Sequence, residues 1–233
     1  MHILIGYGEV GKGIYEAFKD HHDIDIHDPL QNRHAGVGLD YELMLVAIPY
    51  NEDFVDTIKT YQQVFYPKHT IIFSTVPIGT SRKLGASHSP IEGRHDKMGE
   101  YLRTGRHWLG GVNQEAVSFF IKAGLSVMAC KTPEETEFLK LRSTTIYGIN
   151  IEFARYCEKV GKELEIPAGT FEVYDMDYNL LNVRLGCFKY VRYVLQSPKG
   201  KIGGHCVLPN AEILQEQYPH PFIQAVLDFN KED

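Results

Sequence analysis

The residue in this chain best suited to covalent chemistry is Cys206, in the stretch GKIGGHCVLPN that runs from Gly200 to Asn210. Glycines before it remove side-chain bulk and leave backbone N–H groups near the sulfur, a setting that favours the nucleophilic thiolate. Cys130, Cys157 and Cys187 stand in apolar strand or helix patterns and read as packing residues. Lys140, in TEFLKLRST, is a second candidate, one helical turn from Glu137 and from Thr144. A lysine on a helix face is ordinarily solvated, so its chemistry depends on what surrounds it. Glu92, in HSPIEGRH, has the type to orient a water or act as a general base. His88 and His95 flank it, but a loop does not make ligands converge. Both read as hydrogen-bonding or solvated groups, not as a metal site.

The N-terminus carries a different chemistry. GYGEVG places Gly6, Gly8 and Gly11 at G-x-G-x-x-G spacing, with Glu9 and Val10 inside the motif. It follows an apolar strand and opens a helical pattern. There Gly6 permits a tight turn, Gly8 the close approach of a pyrophosphate, and Gly11 close helix–strand packing. N–H groups at the helix start would hold the phosphates. Asp28, 17 residues beyond Gly11, ends the next strand, where a carboxylate takes the adenosine ribose hydroxyls. A carboxylate there repels a 2′-phosphate, which favours NAD over NADP. Pro49 closes the apolar run LMLVAIP, and Ser74 and Thr75 end the strand in IIFSTVPIGTS. Open α/β sheets bind ligands at such strand ends; a helix cap before PIGTSRKL is the other reading of that pair.

The elements that must position these residues follow from periodicity. His2–Ile5, the segment DIDIHD, Leu43–Pro49 and HTIIFSTV read as strands, and the segments after the glycine motif and after Asn51 read as helices, with Asn51 as an N-cap. RHWLGG and SVMAC are further strand candidates around the helical NQEAVSFFIKAG. Such alternation predicts an α/β fold: a Rossmann-type doubly wound parallel sheet with helices on both faces. At Pro133 the pattern changes to a helix running to Ile166, with Thr132 as N-cap and a length of roughly 50 Å. The expected organisation is a Rossmann domain over 1–131 and a mainly helical domain over 132–233, the long helix serving as a spine or a dimer interface. A net charge of −6 without a basic stripe argues against a nucleic-acid partner. No run approaches the ~20 apolar residues of a membrane span. The opening MHILIGYGEVG lacks a basic n-region and reads as a folded strand, not a signal peptide. Four cysteines without CxxC pairing predict neither zinc nor disulfides, and a reducing cytoplasmic setting.

Taken in order, GYGEVG, the strand ending at Asp28, VAIP, STVPIGT, SPIEG, PEETEFLKLRSTTIYGINIEFA and GKIGGHCVLPN resemble the UDP-glucose/GDP-mannose dehydrogenases, and GIGGHC-type loops their N-acetylmannosaminuronate branch. The resemblance implies NAD, a nucleotide-sugar or smaller alcohol or aldehyde substrate, and a homodimer through the helix from Pro133. It implies that Cys206 attacks an aldehyde and passes through thiohemiacetal and thioester, that Lys140 stabilises oxyanion charge, that Thr75 positions water, and that Glu92 takes part in hydrolysis. Gly6, Gly8, Glu9, Val10, Gly11, Asp28, Pro49, Ser74 and Thr75 would line the cofactor. The pattern departs at Thr144, where the family has asparagine, at Asn210, where it has aspartate, and in the shortened PIEG loop. Family members continue for about a domain more, so a chain lacking the C-terminal nucleotide-sugar domain is expected. Three readings follow: a compact NAD-dependent dehydrogenase, a non-catalytic NAD-binding module, or a prephenate- or 3-hydroxyacid-type dehydrogenase. The thiol favours the first over the third.

Overall fold

The computed structural model describes residues 1–94, 97–196, 200–202 and 206–229. Packing divides the chain into two units, Met1–Leu141 and Arg142–Asp233. In the first, seven strands form one sheet: β1 His2–Ile5, β2 Ile24–His27, β3 Leu43–Val46, β4 His69–Ile72, β5 Ser87–His88, β6 His107–Gly110 and β7 Val127–Cys130. Their order is β2-β1-β3-β4-β5-β6-β7. Neighbours run parallel except β5 and β6, which meet antiparallel at His88 and Gly110.

Successive strand residues point to opposite faces, and here both faces are apolar. Leu4, Leu43, Leu45 and Ile71 join one core with Ile14 and Phe18 of α1 (Glu9–Phe18), Leu102 of α4 (Met98–Thr104) and Phe119 and Phe120 of α5 (Gln114–Lys122). Ile3, Ile5, Met44, Val46 and Ile72 join the other with Phe54, Ile58 and Phe65 of α2 (Phe54–Phe65). Each fully buried side chain of this size contributes roughly 1.5–3 kcal/mol, so the doubled core holds strands of only four residues. Asn113 caps α5, accepting from the N–H groups of Glu115 and Ala116. Asn51 does not cap α2 as expected. Residues 51–53 turn first, Asp53 takes the cap position with no side-chain bond, and Asn51 contributes only its carbonyl to Phe54 N. The short α3 (Thr80–Lys83) precedes β5.

α6 spans Pro133–Glu163, beginning in the first unit and continuing in the second. It stops short of the expected Ile166 because the chain turns left-handed at Glu165 and Ile166 N bonds back to Gly161 O. The second unit adds α7 Thr170–Arg184, a 3₁₀ turn at Phe188–Tyr190, α8 Val207–Gln217 and α9 Pro221–Phe229. Its core gathers Ile151, Ile202, Val207 and Val226. Gly148 admits α8 and α9 against α6, since a Cβ there would lie 2.7 Å from Val207 and 3.0 Å from Val226. Pro209, expected in the break before this region, lies in the first turn of α8, where its missing N–H forfeits no helical bond.

Candidate functional site

β1 lies between β2 and β3, so the chain leaves β1 toward one side of the sheet and returns on the other. This opens a crevice beyond the C-terminal ends of β1 and β3. The strand ends stay paired into it: Gly6 N donates to His27 O, Ala47 N to Ile5 O, and Phe73 N to Val46 O. The glycine motif sits there, and its members differ in what demands them. Gly6 has φ +91°, and a Cβ would lie 2.6 Å from Ala47 O. At Gly11 a Cβ would lie 2.1 Å from Gly6 O. Internal packing therefore requires glycine at both. Gly8 caps α1 at φ −69°, open to any residue, and no protein atom lies within 4 Å of where its Cβ would be. Nothing in the fold requires glycine at position 8. The space beside it, at the exposed N-terminus of α1, is open to an approaching group.

Asp28, 9% exposed, binds the same loop. Its Oδ2 accepts from Tyr7 N at 2.7 Å and Gln31 Nε2 at 3.2 Å, and its Oδ1 from Gln31 N at 3.3 Å. A carboxylate has about four acceptor sites, which leaves room for a ribose hydroxyl. Val10 packs on the sheet core, Glu9 is exposed, and Pro49 lies exposed beyond β3. Ser74 is buried with Oγ 3.5 Å from Val46 O, and Thr75 beside it is half-buried. All the residues named from sequence for a dinucleotide thus lie at one end of the sheet.

The first turns of α6 bind the neighbouring loops. Glu135 reaches back to Thr132 N at 2.8 Å, as in a capping box. His88 bridges Thr136 Oγ1, 2.9 Å from its Nδ1, and Ser74 O, 3.3 Å from its Nε2. Since a carbonyl only accepts, the contact with Ser74 places the proton on Nε2, and the one Thr136 hydroxyl proton serves Nδ1, Pro133 O and His88 O in turn. Complete burial lowers the His88 pKa to about 3. Glu137, 1% exposed, accepts from Gly79 N at 2.6 Å and Ser81 N at 2.8 Å. Burial raises its carboxyl pKa, and those backbone bonds work against the rise. Lys140 donates to Ile91 O, next to exposed Glu92. Three residues of one helix thereby hold the loops that follow β4 and β5.

The anchoring roles of His88 and Glu137 were not legible in sequence. Glu137 follows Glu134 and Glu135 in an acid-rich turn, and only its spacing one turn before Lys140 marked it. His95 lies outside the described residues. Among those described, no group of three or more His, Cys, Asp or Glu is placed to hold a metal, and no helix is long and apolar enough to cross a membrane.

Cys206, Thr144 and Asn210 belong to the second unit. Cys206 is half-buried, caps α8, and accepts through its carbonyl from Asn210 N at 3.2 Å. Asn210, 5% exposed, donates from Nδ2 to Thr144 Oγ1 at 3.0 Å. The two positions that depart from the family pattern are therefore partners, and the pair is neutral. Gly203, Gly204 and His205 lie outside the described residues.

No family model and no curated protein matches this chain. Solved structures share its fold at low identity. The UDP-D-ManNAc dehydrogenase of Pyrococcus horikoshii matches with a TM-score of 0.70 at 16% identity, over 99% of this chain and 68% of that one. The 3-hydroxyisobutyrate dehydrogenase of Mycobacterium tuberculosis, solved with L-serine, matches at 0.73 and 12% identity, over 100% and 94%. Psf3, in complex with NADP+ and 2-OPP, matches at 0.57 and 13%, over 99% and 93%.

Proposed function

We propose that this chain is a nicotinamide-dinucleotide-dependent dehydrogenase acting on an alcohol or aldehyde. The observation that carries the reading is the divided glycine motif: the fold itself demands Gly6 and Gly11, whereas the space beside Gly8 at the start of α1 is open, as the approach of a pyrophosphate needs. The similar solved structures include dehydrogenases, one of which acts on a UDP-sugar, and a complex with NADP+. In this reading the Gly8 loop and the start of α1 hold the pyrophosphate, Asp28 the adenosine ribose, and Pro49, Ser74 and Thr75 the crevice wall. When bound, the nicotinamide ring accepts hydride from the substrate carbon. Lys140 offers its ammonium to the oxygen on which negative charge develops, and Thr75 and Glu92 orient water.

The finer reading is a nucleotide-sugar-type oxidation of alcohol to acid. Cys206 Sγ would add to the aldehyde carbon; loss of hydride from that carbon to a second oxidised dinucleotide would leave the acyl group on sulfur, and water would then release the acid and the thiol. Thr144 and Asn210 orient water by hydrogen bonds, being without charge for proton transfer. A homodimer through α6 belongs to the same proposal. Exposed Phe153 and Tyr156 on α6, and Val173, Tyr174 and Met176 on α7, support it, because several large apolar side chains left exposed on one pair of helices mark an interaction surface. A second reading, one hydride transfer on a small hydroxy acid, is supported by a likeness that spans 94% of the 3-hydroxyisobutyrate enzyme against 68% of the UDP-sugar enzyme.

The test is reduced-cofactor formation on panels of sugar nucleotides, small alcohols, aldehydes and hydroxy acids, for wild type, Cys206→Ala and Lys140→Ala. Loss of turnover in both variants supports the thiol route. Loss in Lys140→Ala alone supports the single-transfer reading. Dinucleotide binding with no turnover on any substrate leaves a binding module.

A further inference from the structure

Asp28 and Arg33 face each other across an isolated antiparallel bridge, with Asp28 N donating to Arg33 O at 2.9 Å and Arg33 N to Asp28 O at 3.0 Å. The bridge folds the residues after β2 back on the glycine loop. It sets the Arg33 guanidinium over the Tyr7 ring, with Cζ 4.3 Å from the ring centroid. Tyr7 is the residue between Gly6 and Gly8, and its own N–H is the closest donor to the Asp28 carboxylate. Lys12 extends from α1 toward the same ring, its Nζ 5.9 Å from the centroid. Tyr7 therefore carries two cations, while the neighbouring Asp28 carboxylate is turned into the loop by three N–H donors.

This arrangement changes what the strand-end carboxylate does. A free carboxylate at this point repels an adenosine 2′-phosphate, as the sequence reading of Asp28 assumed. Here three neutral N–H donors turn the carboxylate into the loop and leave its charge in place, and the positive charge that can offset it is that of Arg33 and Lys12 on the Tyr7 ring. Arg33, exposed and stacked on Tyr7, has its rigid fork of donors beside the glycine loop.

Resting on the dinucleotide reading above, we propose that Arg33 is the specificity-determining residue at the adenosine end: its guanidinium takes a 2′-phosphate, so that the chain binds NADP as well as NAD. Stacking on Tyr7 holds the side chain in place before the ligand arrives, which reduces the entropy lost on binding.

The experiment titrates NADH and NADPH separately into wild type, Arg33→Ala and Arg33→Lys by calorimetry at two salt concentrations, with thermal melts to show that the variants fold. Adenosine 2′,5′-bisphosphate and AMP serve as fragment probes. For wild type the expected affinity for NADPH lies within about tenfold of that for NADH. Arg33→Ala should lose about tenfold or more for NADPH and less than threefold for NADH, with Arg33→Lys between, since one charge-assisted contact to phosphate is worth about that much. NADPH binding should also weaken more steeply with salt than NADH binding. NADH binding without NADPH binding would overturn the proposal and leave the dinucleotide reading standing, as would an equal loss for both in Arg33→Ala. Binding of neither dinucleotide would overturn both.

Discussion

Lowering the pH should destabilise the first unit well before its carboxylates titrate, and His88 supplies a magnitude. Its imidazole is wholly buried between Thr136 and Ser74, and its pKa falls from 6.5 to about 3. In the unfolded chain the same group titrates at its ordinary value. As pH drops below 6.5 the unfolded state takes up a proton that the folded state refuses. The stability from a neutral His88 is therefore complete above the unfolded pKa and is lost as pH falls toward 3. The slope is about 1.4 kcal/mol per pH unit, which integrates to about 2 kcal/mol between pH 7 and pH 5. His2, buried against His22 and also lowered to about 3, adds about 2 kcal/mol more over that interval. A domain of this size has roughly 5–15 kcal/mol in all, so the loss is large. Urea unfolding at pH 7, 6 and 5, followed by fluorescence of Trp108 in β6, measures it; the chain has one tryptophan. His88→Gln keeps an amide donor and an acceptor but cannot titrate, so its stability should fall about 2 kcal/mol less than that of wild type from pH 7 to pH 5. His2→Gln should behave in the same way. Identical pH slopes in wild type and both variants, or a wild type that gains stability on acidification, would refute the reasoning.

The glycine motif should divide under substitution. Gly8→Val should leave the melting midpoint nearly unchanged, within about 0.5 kcal/mol, while weakening dinucleotide binding more than about tenfold in a calorimetric titration. Gly11→Ala should instead cost stability outright, with a lowered yield of folded protein, because the new methyl meets the Gly6 carbonyl. In the second unit, Thr144→Val should cost about 1–3 kcal/mol by leaving buried Asn210 Nδ2 without its acceptor, measured as a drop in thermal midpoint. Restoration of wild-type stability in Thr144→Val on adding Asn210→Leu would confirm that the penalty is the orphaned amide.

The sequence by itself was enough for most of what rests on local period, though not for the cap of α2 or the last turn of α6. Both-face apolar runs such as Leu43–Val46 declare a buried strand, and their alternation with helical segments declares a doubly wound sheet. Thr132 and Pro133 mark a helix start, and α6 begins at Pro133. The glycine spacing and Asp28 were legible because the loop and its acceptor are parts of one β-α-β unit. Tertiary structure decided what depends on partners far along the chain. The antiparallel meeting of β5 and β6 has no period to announce it. His88 read as a loop histidine because the threonine that accepts its burial lies 48 residues away, on another element. Glu137 carried no signal beyond its spacing from Lys140, and its role comes from the Gly79 and Ser81 N–H groups that the fold brings to it. Thr144 and Asn210 read separately as two losses, and the fold joins them across 66 residues into one hydrogen bond. A buried polar group is stable only with a partner, and the identity of that partner is a property of packing, not of the neighbouring sequence.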